Sequence, residues 1–218
     1  MILAALAFSL ALTSGRTEEA APNYAVGDAF VWSNGRIEKV RRLEGDQIVW
    51  SGLTGRPWRR SINFVAPIPE WRFEGRVGRR TVMGDISALW PLRSGRSVQF
   101  RVVSESRPQS GPPDRWDRSV ALWTCQVGAA KTVTVEAGAF SAIPIICDRF
   151  SPTVMRPVER MVWDFAPDVG HFIRRVTTNY RDGRQTTVKL VAALHGPAAT
   201  DERLESLARP YRPRPVAN

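Results

Sequence analysis

The sequence predicts an all-β fold, in which a small SH3-sized β-meander is followed by a larger antiparallel curved sheet or open barrel. Two observations carry this prediction. Short segments alternate apolar and polar side chains, and turn residues interrupt them at roughly 8- to 12-residue intervals. The dipeptides Asn34-Gly35 and Asp182-Gly183, which are typical of tight hairpin turns, each separate two such segments.

Residues 1–23 are predicted to be a signal peptide for export to the periplasm. The apolar run from Met1 to Leu12 has the length of a signal-peptide core and is too short to span a bilayer. No Lys or Arg precedes it, so either the free amino terminus supplies the charge or translation starts upstream. We expect cleavage between Ser14 and Ala25, without lipoprotein processing because no cysteine follows the run. The alternative is an N-terminal core segment.

The small meander is predicted to span residues 24–70. Its four strands are expected at 28–33, 36–43, 47–51 and 57–64. Asn34-Gly35 and the segment 44–46 supply the first two turns, and Pro67-Ile68-Pro69 ends the unit, because proline cannot donate a hydrogen bond to a strand ladder.

The larger sheet is predicted to span residues 71–195. A hairpin around Gly75–Gly78, an apolar segment at 86–92 and a strand at 97–103 lead to a Pro-rich loop at 105–114. Further strands are expected at 116–127, 130–135, 139–149, 158–166, 171–180 and 185–194. Alternation predicts a set of inward-facing residues: Ala121, Trp123, Cys125, Val127, Val133, Val135, Ile143, Ile145, Cys147, Met161, Trp163, Phe165, Val188, Leu190, Ala192 and Leu194.

Residues 196–218 are predicted to hold a short helix and a basic Pro-rich tail. The helix is expected at 200–207 with Thr200 as its N-cap. The segment from Arg209 to Pro215 contains too much proline for a core element.

The two cysteines, Cys125 and Cys147, are predicted to form a disulfide after export. If the strand at 130–135 lay squarely between the two cysteine strands, their backbones would stand about 9.5 Å apart. A disulfide requires Cα atoms within about 6.8 Å. The cysteines are therefore expected to meet beyond the end of that strand, near Gly128. The alternative is a pair of buried thiols.

The segment from Val133 to Phe140, VTVEAGAF, resembles the V-T-V-P-A-G-T-F segment of exported bacterial domains of unknown function. Those domains continue with a cysteine-bearing strand and a W-Y-x-P-x-V-G-x-V-K-R segment, matched here by Cys147 and by WDFAPDVG followed by HFIRR. The resemblance covers roughly residues 86–194 and departs from the pattern at Glu136 and Asp164. It implies an exported β-domain and no particular mechanism.

The formal charge of +10 permits two interpretations. Lysine occurs only at Lys39, Lys131 and Lys189, so 28 of the 31 basic residues are arginine. They are spread along the chain among 21 acidic residues, which favours a generally basic solvated surface over a dedicated anion-binding face. Export argues against a nucleic-acid partner.

The candidate binding face combines three of the eight tryptophans with neighbouring arginines of the meander. Indole rings stack on sugars or bases while guanidinium groups bind anions. The alternative is that these indoles fill the core of thin β-units. The face consists of Trp32, Arg36, Trp50, Trp58, Arg59 and Arg60.

Catalytic, metal and cofactor motifs do not emerge from the sequence, and we expect neither an enzyme nor a cofactor or metal site. His171 has Asp164 and Asp168 close in sequence, but no nucleophile accompanies them, and an exposed turn histidine is expected. His195 lies just beyond the last predicted strand.

The sequence thus predicts an exported cell-envelope protein that is a non-catalytic binding or scaffolding module. Its expected partner is an unknown envelope protein or an anionic envelope glycan, with no transmembrane segment in the mature chain. Two alternatives remain: a carrier of an apolar lipid or acyl chain inside the curved sheet, and a hydrolase-type enzyme.

Overall fold

The computed structural model describes residues 21–112 and 114–212, and the strands in this part of the chain form one antiparallel sheet. The strands are β1 (Ala29–Trp32), β2 (Ile37–Glu44), β3 (Gln47–Ser51), β4 (Trp58–Ser61), β5 (Glu70–Phe73), β6 (Arg76–Met83), β7 (Ser97–Pro108), β8 (Asp117–Val127), β9 (Lys131–Val135), β10 (Gly138–Ser151), β11 (Arg156–Ala166), β12 (His171–Asn179) and β13 (Gln185–Leu194). The helix α1 is Asp201–Ala208. Most of the predicted signal peptide and of the basic tail lies outside the described residues.

The all-β prediction is confirmed, because the sheet curls into a nearly closed barrel. Its strand order is β4-β3-β2-β1-β13-β12-β11-β10-β8-β7-β6-β5, with β9 paired to β10. The predicted meander and the larger sheet are continuous, since β1 pairs with β13 from Ala29↔Leu194 onward. The predicted boundary between residues 24–70 and 71–195 therefore separates two segments of the chain but not two sheets, because the hydrogen bonds between β1 and β13 join the two segments.

Strand positions follow the sequence expectations closely in the C-terminal half. The predicted segment at 57–64 is shorter, because the chain leaves β4 after Ser61 and turns inward to bury Asn63 and Phe64. The strand predicted at 97–103 is longer: β7 continues to Pro108 by pairing with β6, so the first half of the predicted loop at 105–114 is strand.

The barrel interior is filled by one large cluster of apolar side chains, which contains most of the predicted inward-facing residues. Ala192 and Leu194 are exceptions. The register of β1 on β13 passes from Val31↔Ala192 to Trp32↔Leu190, so Val191 is an extra residue that reverses the alternation. The prediction for Ala192 and Leu194 is wrong, because both pack in a second, smaller cluster outside the barrel.

That smaller cluster lies beneath α1, with Leu204 and Ala208 of the helix fully buried. Thr200 is the N-cap as predicted, and its side chain accepts a hydrogen bond from the Arg203 N–H at 3.3 Å. Lys39 anchors the start of the helix by donating to the Ala199 carbonyl at 2.8 Å and to Asp201 at 2.9 Å. Among the described residues, no helix has the length and hydrophobicity needed to cross a bilayer.

The disulfide prediction is confirmed. Cys125 and Cys147 are direct cross-strand neighbours on β8 and β10, with Cα atoms 4.0 Å apart, and they are bonded. The geometry is the one expected from the sequence, since β9 pairs only with residues 138–142 of β10 and β8 pairs with 145–150. Gly128 lies where β10 changes its partner from β9 to β8, and it donates its N–H to the Pro144 carbonyl at 2.8 Å.

Candidate functional site

The two ends of the sheet, β4 and β5, line a common cleft that we call the seam cleft. It has a volume of about 600 Å³, within the range of pockets that hold small ligands. Three indoles, those of Trp58, Trp71 and Trp116, contribute to its wall. Five arginines contribute as well: Arg42, Arg56, Arg59, Arg72 and Arg79.

Each indole of the seam cleft is held against a guanidinium group. The Cζ atom of Arg36 lies 4.8 Å from the Trp58 ring centroid, and that of Arg79 lies 5.0 Å from the Trp116 centroid. These distances are within the range of cation–π contacts, so the aromatic and cationic groups are ordered together.

Trp71 owes its position to a glycine on the neighbouring strand. It pairs with Gly78 across β5 and β6, and a Cβ atom built on Gly78 would lie 2.3 Å from the indole. The ring therefore lies where a side chain at position 78 would otherwise be. Arg80 approaches the same ring at 5.3 Å.

The charge of the seam cleft is incompletely compensated. Glu44 accepts hydrogen bonds from Arg42 and Arg59, which lower the pKa of its carboxyl group, and Arg79 binds Glu105 at 2.6 Å. Arg56 and Arg72 are exposed and have no ion pair within the part of the chain that the structure describes. Their guanidinium groups are the cations of the cleft available to a ligand.

The structure divides the candidate binding face. Trp32 and Trp50 are only 2% and 3% exposed, and Trp32 stacks on Phe172 inside the barrel with centroids 4.6 Å apart. These two indoles are core residues, because β1 and β3 have neighbours on both sides and the alternation directs them inward. The prediction that Trp32 and Trp50 belong to the candidate binding face is therefore wrong.

Arg36, Trp58, Arg59 and Arg60 lie at or near the edge strand β4, but they do not share one surface. Arg59 is exposed and bound to Glu44 at 3.0 Å, whereas Arg60 points to the opposite side of the strand. Arg60 donates to the Phe64 carbonyl inside the barrel, and burial lowers the pKa of its guanidinium group. Trp58 and Arg59 are thus the two members of the predicted face that line the seam cleft.

Sequence reasoning did not assign Trp71, Trp116 and Arg72 to a site. They come from a part of the chain far from β4, and they meet it because the sheet curls until its two ends approach each other. A curved sheet was predicted, but which strands would be its ends could not be read from a local pattern.

His171 lies in the core and is 1% exposed, so the expectation of an exposed turn histidine is wrong. Its ring is surrounded by the aromatic rings of Phe30, Trp50 and Phe172, and its Nδ1 shares a hydrogen bond with the Tyr24 hydroxyl. Burial, reinforced by nearby guanidinium groups, lowers the pKa of His171 well below its ordinary value, so the imidazole is neutral.

Of the two carboxylates near His171 in sequence, Asp168 is exposed and Asp164 is engaged elsewhere. Asp164 is fully buried and binds Arg174 at 2.7 Å and Lys131 at 3.2 Å. His195 pairs with Asp28 at 2.8 Å. The described residues contain no cluster of three or more His, Cys, Asp or Glu side chains suited to a metal ion.

Large side chains occupy the apolar part of the barrel, where an acyl chain would have to lie. Those of Phe30, Phe64, Phe165 and Leu89 are among the largest fully buried ones. Phe64, carried by the segment between β4 and β5, stacks on Phe165 with centroids 5.9 Å apart.

No family model and no curated protein matches the chain. Among solved structures, it is similar to the hypothetical lipoprotein YmcC of Escherichia coli (K12), with a TM-score of 0.48 and 7% identity over 78% of this chain and 84% of that one. A Bacteroides fragilis protein with a YmcC-like fold gives a TM-score of 0.43 and 12% identity over 82% of this chain and 100% of that one. These distant likenesses identify no shared activity.

Proposed function

We propose that this chain is an exported cell-envelope protein that binds an anionic glycan in the seam cleft without chemically changing it. Export is supported by the apolar run at residues 1–12 and by the Cys125–Cys147 disulfide, because such bonds persist in oxidising compartments. The resemblance of residues 86–194 to exported β-domains points the same way.

The observation that carries the binding role is the combination of ring faces and unpaired cations in one cleft. Trp58, Trp71 and Trp116 offer flat apolar surfaces of the kind that stack on sugar rings, and Arg56 and Arg72 lie beside them without an ion pair among the described residues. Guanidinium groups bind carboxylates in a bidentate manner. Acidic sugars present both complementary features.

A glycan fits this site better than a folded protein partner. Stable protein interfaces bury roughly 800 Å² on each side over a broad surface. The seam cleft is a concave pocket of about 600 Å³, which is a shape and size typical of small-ligand sites. An envelope protein remains the second candidate partner.

The test is calorimetric titration of the mature protein with uronate oligomers and with neutral hexose oligomers of the same length. We expect binding of the uronates only, weakened by salt because exposed charges are screened. The double variant Arg56→Ala/Arg72→Ala should lose at least tenfold in affinity, since charge-assisted hydrogen bonds contribute about 1.5–3 kcal/mol each.

Arg181→Ala/Arg184→Ala is the matched control, because both residues are exposed in the β12–β13 turn, away from the cleft. It removes the same charge and should bind like the wild type. Equal affinity for charged and neutral oligomers, or equal losses in the two double variants, would contradict the proposal.

A further inference from the structure

The barrel interior contains a second basic group, separate from the five arginines of the seam cleft. Strand register identifies its members. Arg149 pairs with Trp123 of the core, Arg175 pairs with Trp163, and Arg60 pairs with Ile48. Since cross-strand partners point to the same side of a sheet, these three arginines face the interior.

Two further arginines join them. Arg80 is two residues from Val82, which packs against the core, and its guanidinium group donates to the Ile68 carbonyl at 3.3 Å. Arg36 follows the β1–β2 turn and is stacked on Trp58. We call these residues the interior arginine cluster: Arg36, Arg60, Arg80, Arg149 and Arg175.

The cluster extends along the barrel interior. Arg149 is two residues from the end of β10, near the β10–β11 turn, whereas Arg60 is one residue from the end of β4, beside the β2–β3 turn. The cluster residues are half-buried, except for the more exposed Arg36, so part of each remains accessible to solvent. The aromatic packing around His171 adjoins the cluster, since Arg60 and Arg175 are near enough to help lower the pKa of His171.

Carboxylates balance the cluster only in part. Glu38 lies 3.2 Å from Arg36, and Glu159 pairs with Arg149 across β10 and β11. Among the described residues, five guanidinium groups thus share two interior carboxylates, Glu38 and Glu159. The Nε atoms of Arg60 and Arg149 are buried and have no hydrogen-bond partner among the described residues. Buried donors without partners are costly, and a cationic donor costs more.

The ionisation behaviour agrees with this geometry. The pKa values of Arg60, Arg80 and Arg175 are lowered, first by burial and then by neighbouring guanidinium groups, with Glu38 and Glu159 opposing the effect. The folded chain therefore holds several partly desolvated cations close together.

We propose that the interior arginine cluster binds a phosphate group. A phosphate oxyanion offers several acceptor oxygens in different directions, so guanidinium groups from opposite walls of the barrel can bind it at once. A single carboxylate, with its two oxygens in one plane, suits one or two guanidinium groups. The site takes either a soluble phosphate compound or the phosphate headgroup of a lipid.

The first test is thermal unfolding of the full mature chain in sodium pyrophosphate against sodium chloride of equal ionic strength. A ligand at a hundredfold excess over its Kd should raise the wild-type midpoint by about 5–10 °C. Arg149→Gln and Arg175→Gln should each reduce the affinity for pyrophosphate at least tenfold. Arg181→Gln, in the exposed turn, should retain the wild-type shift.

The chloride arm separates a binding role from a structural one. Removing one partly buried cation removes its desolvation cost, so both interior variants should unfold in chloride at or above the wild-type midpoint. A wild type that gains nothing from pyrophosphate would overturn the proposal, as would an interior variant that keeps the full shift.

The second test identifies the phosphate source by sedimentation with vesicles of phosphatidic acid or of phosphatidylcholine. A lipid ligand predicts binding to phosphatidic acid alone, displaced by pyrophosphate and lost in Arg149→Gln. A soluble ligand predicts the pyrophosphate shift without vesicle binding. Arg56→Ala/Arg72→Ala should keep the pyrophosphate shift, so this proposal and that of the seam cleft fail independently.

Discussion

Two neighbouring regions of the barrel interior are built from different chemistry. In the aromatic region, Tyr24, Phe30, Trp50 and Phe172 enclose a neutral His171, whose Nδ1 atom shares a hydrogen bond with the Tyr24 hydroxyl. In the interior arginine cluster, guanidinium groups outnumber carboxylates among the described residues. Both regions contain buried nitrogen atoms without hydrogen-bond partners among those residues, but the nitrogens of the aromatic region belong to neutral rings, whereas those of the cluster belong to charged guanidinium groups.

The comparison teaches that burial alone does not mark a functional residue here. His171 is the more buried group and resembles a catalytic candidate in sequence, yet its surroundings are those of a core. The arginines of the interior cluster are ordinary in sequence, but burying several cations together is energetically unfavourable without an anionic ligand. Four predictions test this distinction, beginning with the largest effect.

Trp32→Ala should destabilise the protein by about 3–5 kcal/mol, since it removes a large buried side chain from the aromatic region around His171. Urea unfolding at equilibrium measures the effect. Trp58→Ala is the matched comparison, because it removes the same side chain from a partly exposed position at the seam and should cost clearly less. Equal losses would abolish the distinction between core and cleft indoles.

Replacing both cysteines with alanine should cost about 3 kcal/mol, because the Cys125–Cys147 bond closes a segment with a sequence separation of 22 residues. The comparison of unfolding free energies should use oxidised wild type and the double variant under the same conditions. A double variant as stable as the wild type would show that the cross-strand packing suffices without the bond.

Lowering the pH from 6.5 to 5.5 should reduce the free energy of unfolding by up to about 1.4 kcal/mol through His171. Its folded pKa is depressed, mainly by burial, so the unfolded chain takes up the proton first and stability is present only above the ordinary histidine pKa. His171→Phe should remove this dependence and His195→Ala should retain it. Identical pH profiles for wild type and His171→Phe would contradict a buried neutral imidazole.

Gly78→Ala should have the smallest effect on stability, below about 1 kcal/mol, because the half-exposed indole of Trp71 can move away from the new methyl group. The same displacement should weaken uronate binding severalfold. Unaltered uronate affinity would show that Trp71 does not contribute to the ligand site.

Local sequence patterns accounted for much of the fold. The dipeptide Asn34-Gly35 and the alternation around Cys125 and Cys147 were sufficient to predict a hairpin and the disulfide. Features that depend on distant strands were not predictable. The extra residue Val191 reverses the faces of β13 only because of how β1 pairs with it, and no dipeptide signals this.

The candidate site was harder to predict than the fold, because it too depends on how distant strands are arranged. Trp58 and Trp71 belong to strands at opposite ends of the sheet, and their meeting depends on the accumulated curvature of every strand between them. Arg59 and Arg60 are adjacent in sequence, but their side chains lie on opposite faces of β4. The face predicted from sequence proximity therefore included side chains from two different environments.

The shortness of the two terminal strands has a consequence for the behaviour of the protein in a crowded compartment. An incompletely closed barrel exposes backbone hydrogen-bonding groups along its borders, and such borders can recruit strands from other molecules. Here β4 and β5 contain four residues each, so a strand from another molecule would gain few hydrogen bonds by pairing with them. Both strands also carry arginines, so a second copy of this chain would be repelled by like charge. The opening can thus admit a ligand while discouraging self-association into fibres.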